Sequence, residues 1–84
     1  MEEVVIGKVV GYFSKIGVAA IRITSGELKV GDTIKIKGHT TDLTVTVASM
    51  QINNVEVKEA KPDDAVGIKV TDRVRRGDKV YKVT

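Results

Sequence analysis

Short runs of alternating apolar and polar residues follow one another along this chain, and a two-residue period is typical of strands with one buried face. In one run Ile34 and Ile36 alternate with polar residues, so both isoleucines are expected to face the core. No window repeats its apolar residues at about 3.6 positions over ten or more residues, so we predict no long helix. The predicted strands cover residues 3–12, 18–24, 33–37, 43–50, 65–71 and 78–83, and the fourth bends near Ser49 and continues through Ile52 to Val57.

Six or seven strands spaced by about ten residues predict an all-β fold, a small closed antiparallel β-barrel. Composition agrees, because valine, isoleucine and threonine supply 31 of the 84 residues and β-branched side chains favour strands. Gly7 and Gly11 lie inside the first strand, where we expect bulges that let a small barrel close. A chain of 84 residues is long enough for one core, so residues 1–84 are interpreted as a single domain.

One seven-residue element occurs twice, at 28–34 and at 74–80. Both copies read apolar, basic, any residue, glycine, aspartate, any residue, apolar. Such a strand entry needs a glycine with positive φ, so we predict this conformation for Gly31 and Gly77. The carboxylate of the aspartate that follows each glycine is expected to cap nearby backbone N–H groups.

Several kinds of chemistry are excluded by the residue content. The chain has no cysteine and one histidine, so disulfides, thiolate chemistry and a conventional zinc site are excluded. The pattern Gly-x-x-x-x-Gly-Lys-Ser/Thr is absent from the sequence, which excludes GTPase activity, and we expect no cofactor. His39 stands beside Thr40, Thr41 and Asp42, but hairpin loops collect these residue types for turn geometry alone. We therefore favour a turn, with Thr41 or Asp42 bonding backbone amides, over a catalytic site, and predict that the protein is not an enzyme.

The excess positive charge lies at the carboxyl end. Residues 1–60 carry seven basic and seven acidic residues, whereas residues 61–84 carry seven basic and four acidic ones. Arginines on one loop can contact successive phosphates, and outward lysines on a strand can extend such a surface. A charged loop is also commonly just solvated, so this alternative stays open. The candidate RNA-binding residues are Lys35, Lys37, Arg73, Arg75 and Arg76.

A family resemblance is carried by residues 26–34, 47–51, 63–70 and 74–80. In that order they resemble the second domain of translational GTPases of the elongation factor Tu type. The chain is even more similar to the barrel at the carboxyl end of collagenase-like peptidase-family proteins, which have stretches similar to Thr40-Thr41-Asp42, Ser49-Met50-Gln51 and residues 66–70. The resemblance implies a six-stranded Greek-key barrel, which in translation factors holds the aminoacyl end of a tRNA or packs on ribosomal RNA. Ala65 stands where the family loop has asparagine, which argues against an aminoacyl pocket.

Two functions are expected from these features. The first is a non-catalytic accessory module of the translation or RNA-modification machinery, which binds structured RNA or a ribonucleoprotein through its basic surface. With Tyr12, Phe13 and Tyr81 as the three aromatic residues, such binding would use phosphates and shape rather than base stacking. The second is a protein-interaction barrel that docks on a separate enzyme subunit through an apolar patch that includes one of these aromatics. We expect a cytoplasmic protein, because no basic and apolar leader opens the chain, and we also expect a monomer. It is expected to contact neither membrane nor nucleotide, because its longest nearly apolar stretch, residues 16–21, is too short to span a bilayer and the phosphate-binding glycine pattern is absent.

Overall fold

A computed structural model describes residues 2–84 of the chain. These residues form strands and turns, and they include no helix that is long and apolar enough to cross a membrane. The strands are β1 (Glu3–Phe13), β2 (Val18–Ile23), β3 (Leu28–Lys29), β4 (Thr33–Lys37), β5 (Asp42–Thr46), β6 (Met50–Ile52), β7 (Val55–Val57), β8 (Glu59–Ala60), β9 (Ala65–Lys69) and β10 (Lys79–Val83).

Eight of these strands form one antiparallel sheet in the order β5-β4-β10-β1-β2-β9-β6-β7, and β3 pairs with β8 in a two-stranded sheet. The predicted all-β class is therefore confirmed. The predicted closed barrel of six strands is wrong, because within residues 2–84 the large sheet has eight strands in an open order, with β5 and β7 at its edges. The additional strands arise where the chain turns inside a stretch that reads as one continuous strand.

That turn lies between β6 and β7. The sequence predicts one bent strand over residues 43–57, but Asn53 and Asn54 have φ angles of 52° and 64° and form a hairpin. Asparagine adopts the left-handed region more readily than most residues, and two consecutive left-handed residues are typical of a type I′ turn. The bend expected near Ser49 is present, since residues 47–49 separate β5 from β6.

Backbone hydrogen bonds connect the two edges of the large sheet through the segment that follows β3. The Gly31 N–H donates to the Val47 carbonyl at 2.8 Å, and the Val47 N–H donates to the Asp32 carbonyl at 2.8 Å. The Val30 N–H donates to the carbonyl of Lys58 at 3.0 Å, between β7 and β8. This segment therefore lies between the ends of β5 and β7, where a direct ladder would be needed to close a barrel.

The core lies on one face of the strands and follows the alternation of the sequence. Ile34 and Ile36 are fully buried while Lys35 between them is half-buried, as the pattern predicts. Leu43 and Val45 are buried on the neighbouring β5 in the same way. The register of β1 shifts between Val5 and Gly7 against β10 and between Val9 and Gly11 against β2, so both predicted bulges are confirmed.

Three four-residue turns in residues 2–84 share one hydrogen-bond pattern, and we call them the aspartate turns. In each turn the N–H of the terminal aspartate donates to the carbonyl of the first residue, and the aspartate carboxylate accepts from the N–H of that first residue. The N–H to carboxylate distances are 2.8 Å for Lys29 and Asp32, 2.9 Å for Lys61 and Asp64, and 2.9 Å for Arg75 and Asp78.

The third residue of every aspartate turn has a positive φ. The angle is 98° at Gly31 and 95° at Gly77, so the conformation predicted for both glycines is confirmed. In the turn at 61–64 this place is taken by Asp63, with a φ of 76°, and Pro62 before it supplies the fixed φ that such turns favour. Because Asp63 replaces glycine, the sequence pattern did not identify this third copy.

Each aspartate turn also holds one buried residue of a neighbouring strand or strand end. The third turn residue donates its N–H to the carbonyl of that residue, whose own N–H donates to the carbonyl of the turn's aspartate. Both bonds are 2.8 Å long at Val47 and at Val9, and they are 2.8 and 2.9 Å long at Ile23. A pair of bonds to one residue fixes the strand against the turn, because a slip by one residue would break both.

The positive φ at the aspartate turns can be tested by two substitutions with opposite expected signs. Gly31→Val should destabilise the protein by more than about 1 kcal/mol, because a β-branched side chain resists positive φ. A Cβ atom at Gly31 would meet no atom within 4 Å beyond its chain neighbours, so a collision of that atom does not contribute to this cost. Asp63→Gly should stabilise the protein by about 0.5 kcal/mol, because glycine adopts this φ without a steric penalty.

The measurement is the free energy of unfolding from urea titration. The ion pair that Asp63→Gly removes joins exposed side chains of Arg22 and Asp63 at 3.8 Å and contributes little. A neutral Gly31→Val, or an Asp63→Gly that destabilises by the same amount as Gly31→Val, would show that φ is not the constraint at these turns.

Candidate interaction surfaces

Two of the predicted RNA-binding lysines are engaged by a carboxylate. Lys35 and Lys37 leave the outer face of β4, and their Nζ atoms donate to the Oε2 and Oε1 atoms of Glu3 at 3.2 and 2.9 Å. The Lys37 Nζ also lies 5.5 Å from the centre of the Tyr81 ring, which is a cation–π distance. The hydrogen bond from Lys37, followed by that from Lys35, lowers the pKa of the Glu3 carboxyl. The same bond to Glu3 raises the pKa of Lys37.

The three predicted arginines lie in the loop that leads into β10. Arg73, Arg75 and Arg76 are all exposed, and the last two belong to the aspartate turn that ends at Asp78. The Asp78 side chain fills the space beside Gly38, at the end of β4, where a Cβ atom would collide with the carboxylate. The loop and the end of β4 thus meet, but Lys35 and Lys37 lean away to Glu3, so the five predicted residues form two groups. RNA binding by these residues stays a prediction.

The loop around the histidine has the geometry of a turn. The Gly38 N–H donates to the Thr41 carbonyl at 2.8 Å. His39 and Thr40 are exposed, whereas Thr41 is buried, so the imidazole and the Thr41 hydroxyl face different surroundings. The expected bonds from the Thr41 or Asp42 side chains to backbone amides do not occur among the hydrogen bonds of the residues described. Backbone hydrogen bonding, rather than side-chain capping, therefore closes this loop.

An apolar groove of about 300 Å³ lies between the β1–β2 hairpin, β9 and the β6–β7 hairpin. Phe13 and Ile16 stand at one end of it, with 57% and 62% of their surface exposed. The Ile16 N–H donates to the Phe13 carbonyl at 3.3 Å, so one tight turn presents both side chains. The other residues that line the groove are Val18, Ala20, Gln51, Asn53, Asn54, Ala65, Val66 and Gly67.

The position of the groove favours one of the three aromatic residues predicted as anchors. Tyr12 is half-buried and packs against the core, and Tyr81 is half-buried beneath the Lys37 ammonium. Phe13 is the aromatic side chain that stands exposed, and it does so beside a concave apolar surface. Ile16 was not predicted as an anchor, although a large aliphatic residue inside a turn, just before Gly17, is a signal of an exposed apolar contact.

The loop compared with the aminoacyl-binding loop of translation factors lies along this groove. Ala65, Val66 and Gly67 contribute to its lining, and Ala65 supplies a methyl group where the family loop has an amide. The groove is consequently apolar at this point, and its polar side chains come from Gln51 on the neighbouring β6 and from Asn53 and Asn54 in the β6–β7 turn.

A known protein family matches most of the chain. The family model of elongation factor Tu domain 2 matches residues 17–81, which are 65 of the 84 residues. The chain belongs to the elongation factor Tu domain 2 family. The match covers the cation–π pair, all three aspartate turns and the groove lining from Val18 onwards, whereas Phe13 and Ile16 precede it.

Relatives of this domain 2 family member are found in larger proteins. An uncharacterized protease from Methanocaldococcus jannaschii is 45% identical over 80 residues, which are 94% of this chain and 19% of the relative. Two collagenases from Porphyromonas gingivalis are each 37% identical over 82 residues, which are 96% of this chain and 20% and 23% of the relatives. The chain therefore spans about a fifth of the length of the curated relatives it matches.

Solved structures show the same fold. The C-terminal domain of a Geobacillus thermoleovorans protein described as a U32 peptidase superposes with a TM-score of 0.87, covering 98% of this chain and 93% of that one. Its selenomethionine variant superposes with a TM-score of 0.84 over 90% of this chain. With 21% and 20% sequence identity, these likenesses show the fold alone.

The Glu3 contacts predict a pH-dependent contribution to stability. A carboxyl whose pKa is lowered on folding stabilises the protein above its unfolded pKa of about 4.3, and this contribution is lost as the pH falls through the folded pKa. Glu3→Gln should therefore be less stable than the parent at about pH 7, and the difference should shrink towards about pH 3. Urea unfolding of both proteins across this range measures it.

The variant Lys37→Gln removes the largest cause of the Glu3 shift and should also reduce the pH dependence. A difference between the parent and Glu3→Gln that stays constant from about pH 7 to about pH 3 would contradict the bonds to Lys35 and Lys37.

Proposed function

We propose that this chain is a non-catalytic protein-interaction module that docks, through the groove between Phe13 and Ala65, on the catalytic part of a peptidase-family protein. The observation that carries the proposal is the pair of exposed side chains, Phe13 and Ile16, at one end of a concave apolar surface. Buried aromatic and aliphatic anchors in a pocket supply most of the binding energy of protein interfaces. An exposed patch of this kind is a typical interaction site.

The size of the relatives supports the choice of partner. In the Methanocaldococcus protease and the Porphyromonas collagenases, the matched segment is about a fifth of a longer chain, so four fifths of those proteins lie outside it. We propose that the groove faces this remainder, whether it belongs to the same chain or to another subunit. The reaction indicated by the names of those relatives is then assigned to the partner, and the present chain contributes binding.

The proposal is tested with the Methanocaldococcus relative produced without its matched 80 residues. This partner is titrated calorimetrically with the present chain, and with the relative's own matched segment as a positive control. We expect both to bind. Truncation of two hot-spot side chains in Phe13→Ala/Ile16→Ala should weaken binding at least about tenfold, or about 1.4 kcal/mol.

A matched control is Val4→Ala/Val30→Ala, which truncates two exposed side chains outside the groove, with 49% and 41% exposure. It should bind as the parent does, and neither double variant should lose more than about 1 kcal/mol of folding stability. Binding of the relative's segment without binding of this chain, or equal loss in both double variants, would refute docking through the groove.

A further inference from the structure

A row of basic residues crosses the outer face of the large sheet at one level of the strand register. Lys8 of β1 stands directly opposite Lys79 of β10 on one side and opposite Arg22 of β2 on the other. Lys79 in turn stands opposite Lys37 of β4. These four residues, from four consecutive strands, form what we call the cation row. Adjacent strands are about 4.8 Å apart, so the Cα atoms of the row span about 14 Å.

The centre of the cation row carries uncompensated charge. Like charges directly opposite each other destabilise a strand pair, so their presence needs an explanation. At the two ends carboxylates are close, since Lys37 donates to Glu3 at 2.9 Å and faces Asp42 on β5, and Arg22 lies 3.8 Å from Asp63.

In the part of the chain that the structure describes, the two central residues of the row lack such a carboxylate. Among the ion pairs of residues 2–84, none involves Lys8 or Lys79, and both side chains are exposed. The ammonium groups of Lys8 and Lys79 are therefore free to bind an external anion. The Arg22 guanidinium lies beside them, and its exposed ion pair with Asp63 is weak.

The aspartate turn at 75–78 extends the row along β1. The Gly77 N–H donates to the Val9 carbonyl at 2.8 Å and the Val9 N–H donates to the Asp78 carbonyl at 2.8 Å, which places the turn next to Lys8. Arg76 occupies the exposed second position of this turn. The turn arginines thus adjoin the centre of the row, whereas Lys35 does not belong to it.

We propose that the cation row binds the phosphodiester backbone of a single nucleic-acid strand, with Lys8, Lys79 and Arg22 as the principal contacts. Positive charges repeated at even spacing along a line match a ligand whose negative charges repeat along a line, and successive phosphates supply them. The row has no exposed aromatic side chain for base stacking, so binding should be weak and independent of base sequence. The row is distinct from the apolar groove, and this inference does not depend on docking.

The test uses fluorescence anisotropy with a labelled twelve-nucleotide oligouridylate, and with oligothymidylate of equal length to compare ribose with deoxyribose. Both should bind at about 50 mM salt with similar affinity, and the logarithm of the binding constant should fall linearly with the logarithm of salt concentration. Lys8→Gln/Arg22→Gln/Lys79→Gln should weaken binding at least tenfold. Its salt slope should be lower by about two units, since each single-strand phosphate contact contributes about 0.7.

Two further variants separate the row from net charge and from misfolding. Lys15→Gln/Lys58→Gln/Lys69→Gln removes the same charge from exposed positions outside the row and should retain most of the binding. Lys8→Arg/Lys79→Arg keeps the charge of the row and should retain binding as well. Circular dichroism checks that all variants keep their strands.

Three results would overturn the proposal. They are no binding of either oligonucleotide at about 50 mM salt, equal loss in the two Gln triple variants, and equally tight binding of a twelve-residue polyglutamate that is lost with the same substitutions. The last result would assign the row to acidic protein segments instead. The groove variant Phe13→Ala/Ile16→Ala should bind the oligonucleotides as the parent does, so failure of the docking proposal leaves this test intact.

Discussion

The fold depends on the two backbone hydrogen bonds by which each aspartate turn holds one buried residue. The carboxylate of Asp32, Asp64 or Asp78 bonds the N–H three residues earlier and so holds the turn closed. The closed turn then presents one N–H and one carbonyl to a single residue of a neighbouring strand or strand end, and these residues are Val47, Ile23 and Val9. Hydrogen bonds to a charged group contribute about 1.5–3 kcal/mol each when they are shielded from water, and less when exposed. For a small domain of marginal stability, three such fixed points determine how strands can align.

Both proposed surfaces follow from the strand positions that these turns fix. The turn at 61–64 bonds Ile23 and leads directly into β9, which sets Ala65 and Gly67 along the groove. The turn at 75–78 bonds Val9 and leads into β10, which pairs with β1 and β4. A slip of β10 by one residue would move Lys79 to the core face and break the cation row.

The sequence predicted what depends on local residue patterns. The alternation around Ile34 and Ile36 reflects the two-residue period of a strand with one buried face. The glycines at Gly31 and Gly77 reflect a positive φ, which glycine adopts most readily. The hairpin at Asn53–Asn54 and the turn at Asp63 were missed because residues other than glycine adopt positive φ there. Barrel closure was predicted wrongly because residues 30–32, rather than a ladder between β5 and β7, connect the two sheet edges, through bonds such as Val30 to Lys58 that no local pattern encodes.

The candidate surfaces were only partly predictable for the same reason. Lys8, Arg22, Lys37 and Lys79 are far apart along the chain, and their alignment appears only once four strands are in register. Conversely, Lys35 and Lys37 were predicted to bind RNA because they lie on an outward strand face. Both pair instead with the carboxylate of Glu3, which lies near the start of the chain. Phe13 was among the aromatics considered, but its groove requires β9, which arrives about fifty residues later.

The most direct test of these hydrogen bonds between turn and strand is native-state amide hydrogen exchange of Asp78→Ala, measured residue by residue by NMR. If the Asp78 carboxylate holds its turn on β1, the Val9 N–H should lose at least about tenfold more protection than the N–H groups of Ile23 and Val47, which are held by the other two turns. Asp72→Ala, in the same loop but outside the turn, should leave all three unchanged relative to one another. An equal loss of protection at Val9, Ile23 and Val47 in Asp78→Ala, or no loss at any of them, would contradict the account.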